Sequence, residues 1–231
     1  MTDQLHSLIG VKLFDGLDES SRRAIEQRCR WRRFAPHQQI IEGQADSRDV
    51  FFIVAGKVRV VNYAASGREV SLEDIGAGGC FGELAAIDGQ PRSATVLAME
   101  PTIVATLGPA DFLRFVTERP PVALALLRHL TAMIRRSTER IFDLSTLGAH
   151  ERVYAELLRL GLACLADDNT SAIHPIPVHG DIANRIGTTR ETVARVFGEL
   201  ARNGLVRRDR DTLTILDFGR LTEMVGEWRG E

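Results

Sequence analysis

The sequence predicts an α+β protein with an N-terminal antiparallel β-roll, one long helix and a small C-terminal helical domain that carries a two-stranded wing. Three observations support this prediction. Short β-branched and aromatic runs are separated by glycines up to about residue 107, a helical period follows from 120 to 144, and two short helical patterns meet at Gly187. Short runs bounded by turn residues favour antiparallel sheets. A length of 231 residues allows more than one domain.

Composition excludes several classes of protein. The chain is 44% hydrophobic and 26% charged, which is typical of a folded globular protein. No run approaches the roughly 18 apolar residues of a spanning helix, and residues 1–6 lack the basic start of a leader. We therefore expect a cytoplasmic protein without a membrane partner. The widely spaced Cys29, Cys80 and Cys164 offer neither a disulfide framework nor a Cys-x-x-Cys site, so we expect no metal.

The first predicted domain covers residues 1–120. Asp18 is a candidate N-cap for a short helix whose apolar positions are Ala24, Ile25 and Cys29. The runs 50–54 and 58–63 then predict two of several short strands.

The segment 121–144 predicts a long dimerisation helix. Its apolar positions form a seam spaced alternately by four and three residues. The seam consists of Ala123, Leu127, Leu130, Ile134, Ser137, Ile141 and Leu144, and all of these except Ser137 are apolar. Such a heptad seam favours a parallel coiled coil and hence a homodimer. The alternative is a single helix that packs its apolar stripe on its own domain. Residues 145–150 are the predicted hinge, and 151–231 the second domain.

Residues 81–95 carry the densest chemical pattern. Arg92 can bind a phosphate through two parallel N–H donors, and Ser93 adds a hydroxyl beside the small residue Ala94. Glu83 can accept hydrogen bonds from vicinal sugar hydroxyls, and Gly82 allows a close approach to the backbone. The alternative is a structural turn with a surface Arg–Glu pair.

Residues 179–200 predict a helix-turn-helix unit, because a short helix, a glycine-containing turn and a capped second helix follow one another. Thr188 or Thr189 would cap the second helix. The predicted inward-facing residues are Ile182, Ala183, Ile186, Val193, Val196, Phe197 and Leu200. Two strand-like stretches, 205–208 and 212–215, predict the wing.

The second helix begins with residue types that read DNA bases. Arginine pairs with guanine and glutamate accepts from cytosine in the major groove, and Arg190, Glu191 and Arg195 offer both. Between 178 and 210, seven arginines stand against four acids, a local excess of +3 in a chain whose net charge is −2. The alternatives are a solvated helix face and an intrahelical pair between Glu191 and Arg195.

Two motifs carry a resemblance to a known family. Phe81-Gly82-Glu83 and Pro91-Arg92-Ser93-Ala94-Thr95 resemble the phosphate-binding cassette of cyclic-nucleotide-binding domains, and Arg190-Glu191-Thr192-Val193-x-Arg195 resembles the recognition helix of cyclic-AMP receptor proteins. The similarity to the cyclic-AMP receptor/fumarate-nitrate regulator superfamily extends from Leu13 to Val206. One departure is Val178, which stands where the family caps the first helix with Ser or Thr.

The resemblance implies a role for each matching residue. Glu83 would hold the ribose 2′-hydroxyl, while Arg92 and Ser93 would hold the cyclic phosphate. A hydroxyl pair on the dimer helix, Ser137-Thr138 here and in the reverse order in the family, would contact the adenine. The implied ligand site is Gly82, Glu83, Leu84, Arg92, Ser93, Ala94, Ser137 and Thr138, and the implied DNA site is His179, Thr189, Arg190, Glu191, Thr192 and Arg195.

The implied function is a homodimeric transcription regulator that responds to cyclic AMP and binds palindromic double-stranded DNA, with RNA polymerase as a partner. Two alternatives remain at this point. One is a sensor of the same fold for cyclic GMP or a haem-bound gas, with Cys80 or a histidine as axial ligand. The other is a cyclic-nucleotide regulatory module of an enzyme, in which the C-terminal region binds protein rather than DNA. The chain itself is not expected to be an enzyme, because it shows no phosphate loop, metal-spaced cluster or triad order.

Overall fold

A computed structural model describes residues 6–230, so the predicted lack of a leader at residues 1–5 lies outside the described part of the chain. The chain divides into two compact units, Met1–Met133 and Ile134–Glu231. Over the described residues, no helix combines the length and the apolar character needed to cross a bilayer.

The first unit contains two four-stranded antiparallel sheets, with strand orders β1-β8-β3-β6 and β2-β7-β4-β5. This confirms the predicted antiparallel β domain. Its elements, after a short 3-10 helix at Lys12–Phe14, are α1 (Glu19–Glu26), β1 (Arg30–Phe34), β2 (Gln39–Ile41), β3 (Val50–Ala55), β4 (Lys57–Tyr63), β5 (Glu69–Gly76), β6 (Cys80–Phe81), α2 (Glu83–Asp88), β7 (Thr95–Ala98), β8 (Thr102–Leu107) and α3 (Pro109–Glu118).

Strand β3 organises the core because both of its faces are buried. Alternate side chains of a strand point to opposite faces. Phe51 and Ile53 belong to the apolar cluster that both sheets share, whereas Val50 and Phe52 belong to a second cluster, which includes residues of α1, α3 and the start of the long helix. The sheets and the helical layer therefore meet through one strand.

The predicted helix start at Asp18 is confirmed, because its side chain accepts from the backbone N–H of Ser21. Hydrogen bonds from the Ser20 hydroxyl and the Ser21 backbone and hydroxyl lower the pKa of Asp18 to about 2. The predicted extension to Cys29 was wrong: α1 ends at Glu26 and Cys29 lies in the turn before β1.

The long helix, α4, runs over Pro120–Thr146. Val122 and Leu126 are buried in the core of the first unit, but they are not seam positions. Four seam residues are strongly exposed in this single chain: Leu127 (61%), Ile134 (65%), Ile141 (65%) and Leu144 (46%). The alternative in which the seam packs on its own domain therefore does not apply to these four residues.

The break after α4 is shorter than the predicted hinge. Ser145 and Thr146 remain helical, since their hydroxyls donate to the carbonyls of Ile141 and Phe142 one turn earlier. The next helix starts at Ala149, and the Glu151 carboxylate caps its N-terminus by accepting from the Gly148 N–H. Only residues 147 and 148 separate the two helices.

The second unit packs helices around a three-stranded sheet of order β10-β11-β9. Its elements are α5 (Ala149–Leu162), β9 (Ser171–Ile173), α6 (His179–Ile186), α7 (Arg190–Arg202), β10 (Val206–Asp209), β11 (Thr212–Ile215) and α8 (Phe218–Arg229). Helix α5 ends at Leu162, and Leu165 just beyond it forms a β-bridge with Ser171. Helices α3 and α8 and strand β9 were not predicted from the sequence.

A buried ion-pair network joins the helices of this unit. Asp143, near the end of α4, is 4% exposed and accepts from Nη2 of Arg159 at 2.6 Å and from Nε and Nη2 of Arg229 at 2.9 Å. Glu156 accepts from Arg159 and from Nη1 of Arg185 at 3.2 Å. The network connects the end of α4 to α5, α6 and α8.

Replacing Asp143 tests how much this network contributes. Asp143→Ala removes the buried carboxylate that Arg159 and Arg229 share, although Arg159 keeps its bond to Glu156, and the loss of a buried charge partner is destabilising. We expect the free energy of unfolding of this unit to fall by about 2–3 kcal/mol, less than for fully buried pairs because both arginines are partly exposed. Urea unfolding followed by circular dichroism measures it. Asp111→Ala, which breaks more exposed pairs with Arg28 and Arg114, should cost less than about 1 kcal/mol; equal losses would contradict the account.

Candidate ligand pocket and nucleic-acid interface

Arg92 is 2% exposed and lies at the centre of the candidate ligand pocket. Its Nε donates to Ser47 Oγ at 3.0 Å, Nη1 to the Gly82 carbonyl at 2.8 Å and Nη2 to the Asp49 carbonyl at 2.7 Å. Its guanidinium also lies over the Phe51 ring, 5.8 Å from the centroid. A guanidinium has five N–H donors, so one donor on each terminal nitrogen remains for a ligand.

Burial and neighbouring charges have opposite effects on the pKa of Arg92. Burial lowers the pKa of Arg92, while the carboxylates of Asp49 and Glu83 raise it. The alternative of a surface Arg–Glu pair is wrong, because Arg92 and Glu83 are each only 2% exposed.

Gly82 makes the close approach of Arg92 possible. Its backbone is left-handed, with φ of 81°, and a Cβ there would lie 2.7 Å from Arg92 Nη1. The sequence analysis predicted that Gly82 leaves room for a ligand. In the structure, the Arg92 guanidinium occupies the space that the missing side chain of Gly82 leaves.

The segment after Arg92 presents free donors. Ser93 is exposed and Ala94 is buried, and their backbone N–H groups donate to no described residue. The Ser93 hydroxyl is likewise without a partner among the described residues, while its carbonyl accepts from Asn62 Nδ2 at 3.3 Å. Two neighbouring N–H groups and a hydroxyl without partners are the kind of donors that bind an anion.

Glu83, the first residue of α2, has a carboxylate that accepts no hydrogen bond from the described residues. Its side chain is 3% exposed, and its one contact with a described polar side chain is to Nε2 of His129 at 3.4 Å. A buried carboxylate without hydrogen bonds is costly, so a hydroxyl-bearing ligand would stabilise it. Leu84, the next predicted residue, is 36% exposed.

Ser137 and Thr138 are both exposed on α4. The Thr138 hydroxyl donates to the Ile134 carbonyl at 3.0 Å. Both residues belong to the second unit, whereas the residues around Arg92 belong to the first.

The helix-turn-helix residues have the predicted placement. All seven predicted inward-facing residues are buried. Gly187 ends α6 in a left-handed conformation, with φ of 66°, and the Thr189 hydroxyl caps α7 by accepting from the Thr192 N–H at 3.3 Å. Val178 precedes α6 without a side-chain cap. The outward face of α7 exposes Thr189, Arg190, Glu191, Ala194 and Arg195.

Arg190 lies against the backbone of α6. An ideal Cβ at Gly180 would lie 2.7 Å from Arg190 Nε and 2.9 Å from its Nη2. Gly180 is itself buried. A glycine at this position therefore sets where the arginine can lie, a role that the sequence analysis did not recognise.

Glu191 and Arg195 form no ion pair with each other within the described residues, so the alternative of an intrahelical pair is wrong. A hydrogen bond from its own backbone N–H, one with the Thr189 hydroxyl, and the charge of Arg190 lower the pKa of Glu191. Glu191 is therefore an ionised acceptor at neutral pH.

His179 and the wing border this face. His179 packs edge-on against Phe197, with ring centroids 5.1 Å apart. Burial and the charge of Arg208 lower its pKa, so its ring is neutral at pH 7. Arg207, Arg208 and Arg210 are exposed on the β10–β11 hairpin.

The two halves of the chain match two known domain families. The family described as Cyclic nucleotide-binding domain matches residues 31–119, and the family described as Crp-like helix-turn-helix domain matches residues 151–224. The chain is 34% identical to the Cyclic AMP receptor protein of Thermus thermophilus over 84% of this chain and 87% of the relative. It is 26% identical to the CRP-like cAMP-activated global transcriptional regulator of Mycobacterium tuberculosis, over 95% of this chain and 97% of the relative.

Solved structures show the same fold. A CooA mutant from Carboxydothermus hydrogenoformans superposes with a TM-score of 0.79 at 21% identity, over 96% of this chain and 99% of that one. The Thermus thermophilus catabolite activator protein gives a TM-score of 0.54 at 28% identity, over 94% and 99%.

The matched domains define a DNA-binding transcription regulator with a cyclic-nucleotide-binding domain, and not an enzyme. The protein is a member of the CRP/FNR family of transcription regulators.

The contact between Gly180 and Arg190 gives a testable prediction. Gly180→Ala places a methyl group where the Arg190 guanidinium lies, so the arginine must move. We expect DNA affinity to fall several-fold, measured by fluorescence anisotropy, while thermal stability is kept or slightly raised, since alanine favours a helix.

Gly198→Ala on α7 is the matched control. A Cβ there meets its nearest neighbour, Arg202 Nη1, at an ordinary 3.5 Å, so DNA affinity should not change. Equal affinities of the two variants would show that the position of Arg190 does not matter for DNA binding.

Proposed function

We propose that the protein is a homodimeric regulator that binds cyclic AMP in the β domain and, in that state, binds a palindromic DNA site through α7. The observation that carries the ligand proposal is the Glu83 carboxylate. It is nearly inaccessible to solvent and accepts no hydrogen bond from the described residues. It also lies close enough to Arg92 for its charge to offset part of the lowering of the Arg92 pKa that burial causes. In a bound cyclic nucleotide, a ribose hydroxyl would donate to Glu83 while the neighbouring phosphate accepts from Arg92.

The phosphate partners are the two remaining donors of Arg92, the Ser93 hydroxyl and the N–H groups of Ser93 and Ala94. Arg92 is held by three hydrogen bonds before any ligand arrives. Its position is therefore pre-organised, which reduces the entropic cost of binding. Gly82 and Leu84 complete the proposed site around Glu83.

Ser137 and Thr138 are the proposed contacts to the adenine, supplied from the dimer helices. Their exposure leaves both side chains available, and the resemblance to the cyclic-AMP receptor proteins supports the role. Cyclic GMP is the competing ligand in the same site.

Exposed apolar seam residues support the homodimer. Ile134 and Ile141 each leave about two-thirds of their surface exposed, and burying such side chains contributes roughly 1.5–3 kcal/mol each. A dimer with a twofold axis would place two recognition helices about 34 Å apart, which matches a palindromic site.

DNA contacts fall into two proposed groups. Arg190, Glu191 and Arg195 read base edges, while His179, Thr189, Thr192 and the wing arginines contact the backbone. RNA polymerase is a proposed partner on the family resemblance. The proposed domain limits are 1–120, 121–144 and 151–231, with the hinge reduced from the predicted 145–150 to residues 147 and 148. The proposed location is the cytoplasm, where such a regulator meets DNA.

A paired substitution in protein and ligand tests the Glu83 contact. Wild-type protein should bind cyclic AMP about 10–100-fold more tightly than 2′-deoxy cyclic AMP, since a hydrogen bond to a charged group contributes about 1.5–3 kcal/mol. In Glu83→Ala the two ligands should bind almost equally. Isothermal titration calorimetry measures all four affinities.

Tyr63→Phe is a control, because Tyr63, at the end of β4, is more than half exposed and its hydroxyl interacts with Glu69 rather than with Glu83. It should keep the wild-type preference. A preference for the 2′-hydroxyl that survives in Glu83→Ala would refute the contact. Failure of cyclic AMP to bind wild-type protein, or a haem absorption band in the purified protein, would refute the choice of ligand.

The dimer seam is tested separately. Ile134→Glu should convert the dimer to a monomer in sedimentation velocity, because a buried, unpaired carboxylate in a coiled coil is unfavourable. Leu162→Glu is the matched control, since Leu162 is 64% exposed but lies on α5. A monomer in the wild type, or a stable dimer in Ile134→Glu, would contradict the proposed interface.

A further inference from the structure

Three potential metal ligands meet in the first unit. Cys80 lies in β6, Glu83 begins α2, and His129 lies in the first half of α4. One donor atom from each residue lies within 4.8 Å of the other two. Cys80 is 5% and Glu83 2% exposed, and the His129 side chain is 25% exposed.

Two of the three groups lack an ordinary hydrogen-bonding partner. The Nε2 atom of His129 is inaccessible to solvent and forms no hydrogen bond. Its 3.4 Å distance to Glu83 Oε1 is longer than the roughly 2.7–3.2 Å of a protein N–H···O bond. The Glu83 carboxylate is nine-tenths buried and has no better partner among the described residues. Uncompensated polar groups of this kind call for an explanation.

The types of ligand atom indicate which metal ion would fit this site. A thiolate, an imidazole nitrogen and a carboxylate oxygen are the three ligand types of zinc sites, whereas calcium and magnesium prefer oxygen alone. A cysteine thiolate and a glutamate carry two negative charges, which one dication neutralises. A neutral site costs far less to bury than isolated charges.

We propose that Cys80, Glu83 and His129 bind Zn²⁺ with a fourth position open, and that the metal competes with the cyclic nucleotide for Glu83. On binding, the Cys80 thiol gives its proton to solvent and its sulfur coordinates the metal. The competition rests on the function proposed above; the metal site does not.

Competition follows from the shared carboxylate. A Glu83 carboxylate bound to zinc gives much of its negative charge to the metal and is held toward Cys80 and His129, so it would accept less strongly from the ribose 2′-hydroxyl. Metal and nucleotide would therefore each lower the affinity of the protein for the other, and by the same factor. The metal would act as an antagonist of the effector.

Cobalt is the probe for the site itself. The full-length protein, purified, reduced and freed of metal, is titrated with Co²⁺ alone. We expect one equivalent to bind with a thiolate-to-cobalt charge-transfer band and the visible bands of tetrahedral cobalt. Zn²⁺ should displace the cobalt, and its affinity is measured against a chromogenic chelator.

Variants locate the site. Cys80→Ser should abolish the charge-transfer band, and His129→Gln should weaken zinc binding by at least about tenfold. Because Cys80 is a core residue, the more exposed His129 provides the variant less prone to misfold. Cys164→Ser and His174→Gln are matched controls at an exposed thiol and an exposed imidazole, and both should bind as the wild type does.

Two results would overturn the metal site: no charge-transfer band in the wild type, or full zinc affinity in both Cys80→Ser and His129→Gln. The competition is tested by titrating cyclic AMP with and without saturating Zn²⁺. Zinc should weaken nucleotide binding in the wild type at least about tenfold more than in His129→Gln; equal effects would refute the competition. If no cyclic nucleotide binds at all, the proposed function fails, while the cobalt spectrum still decides the metal site.

Discussion

The buried guanidinium of Arg92 is the constraint around which the ligand-binding domain is built. An arginine with 2% of its surface exposed must satisfy its donors inside the protein, and it does so with two backbone carbonyls and one serine hydroxyl. These bonds join three segments: the loop before β3, the turn before α2 and the segment before β7. A residue that binds a phosphate in the proposed complex thus also holds these three segments together, so its removal cannot report on the ligand alone.

The second unit meets a different requirement. An exposed reading face on α7 needs a rigid support, and the buried residues of α6 and α7 together with the ion-pair network around Asp143 supply it. If cyclic AMP shifts the protein from a mostly inactive to a mostly active arrangement, the difference in its binding free energy between the two arrangements must be about 5 kcal/mol.

Local patterns predicted most of the fold. The inward-facing positions of the helix-turn-helix followed from helical periodicity, and β3 and β4 from their β-branched and aromatic runs. Burial decided alternatives that the sequence left open. Arg92 and Glu83 lie inside the domain. In the α4 seam, Leu127, Ile134, Ile141 and Leu144 are exposed, whereas Leu130 packs partly on the core of the first unit. Non-local features were missed. Ser47 and Asp49 lie more than 40 positions from Arg92 in sequence, and nothing in their spacing marks them as its partners.

The spacing of the cysteines cannot show that Cys80 lies near His129, because the packing of α4 on the sheets of the first unit brings these residues together. The predicted hinge was too long because hydroxyls of Ser145 and Thr146 bond back to their own helix, although such residues often mark loops in a sequence.

The central claim is that one ligand in the β domain controls DNA binding by the second unit. The direct measurement is the affinity of the full-length protein for a palindromic DNA site with and without saturating cyclic AMP, together with the affinity for cyclic AMP with and without that DNA. The account predicts that each ligand strengthens the binding of the other by the same factor. Cyclic AMP that binds the protein yet leaves DNA affinity unchanged would contradict it.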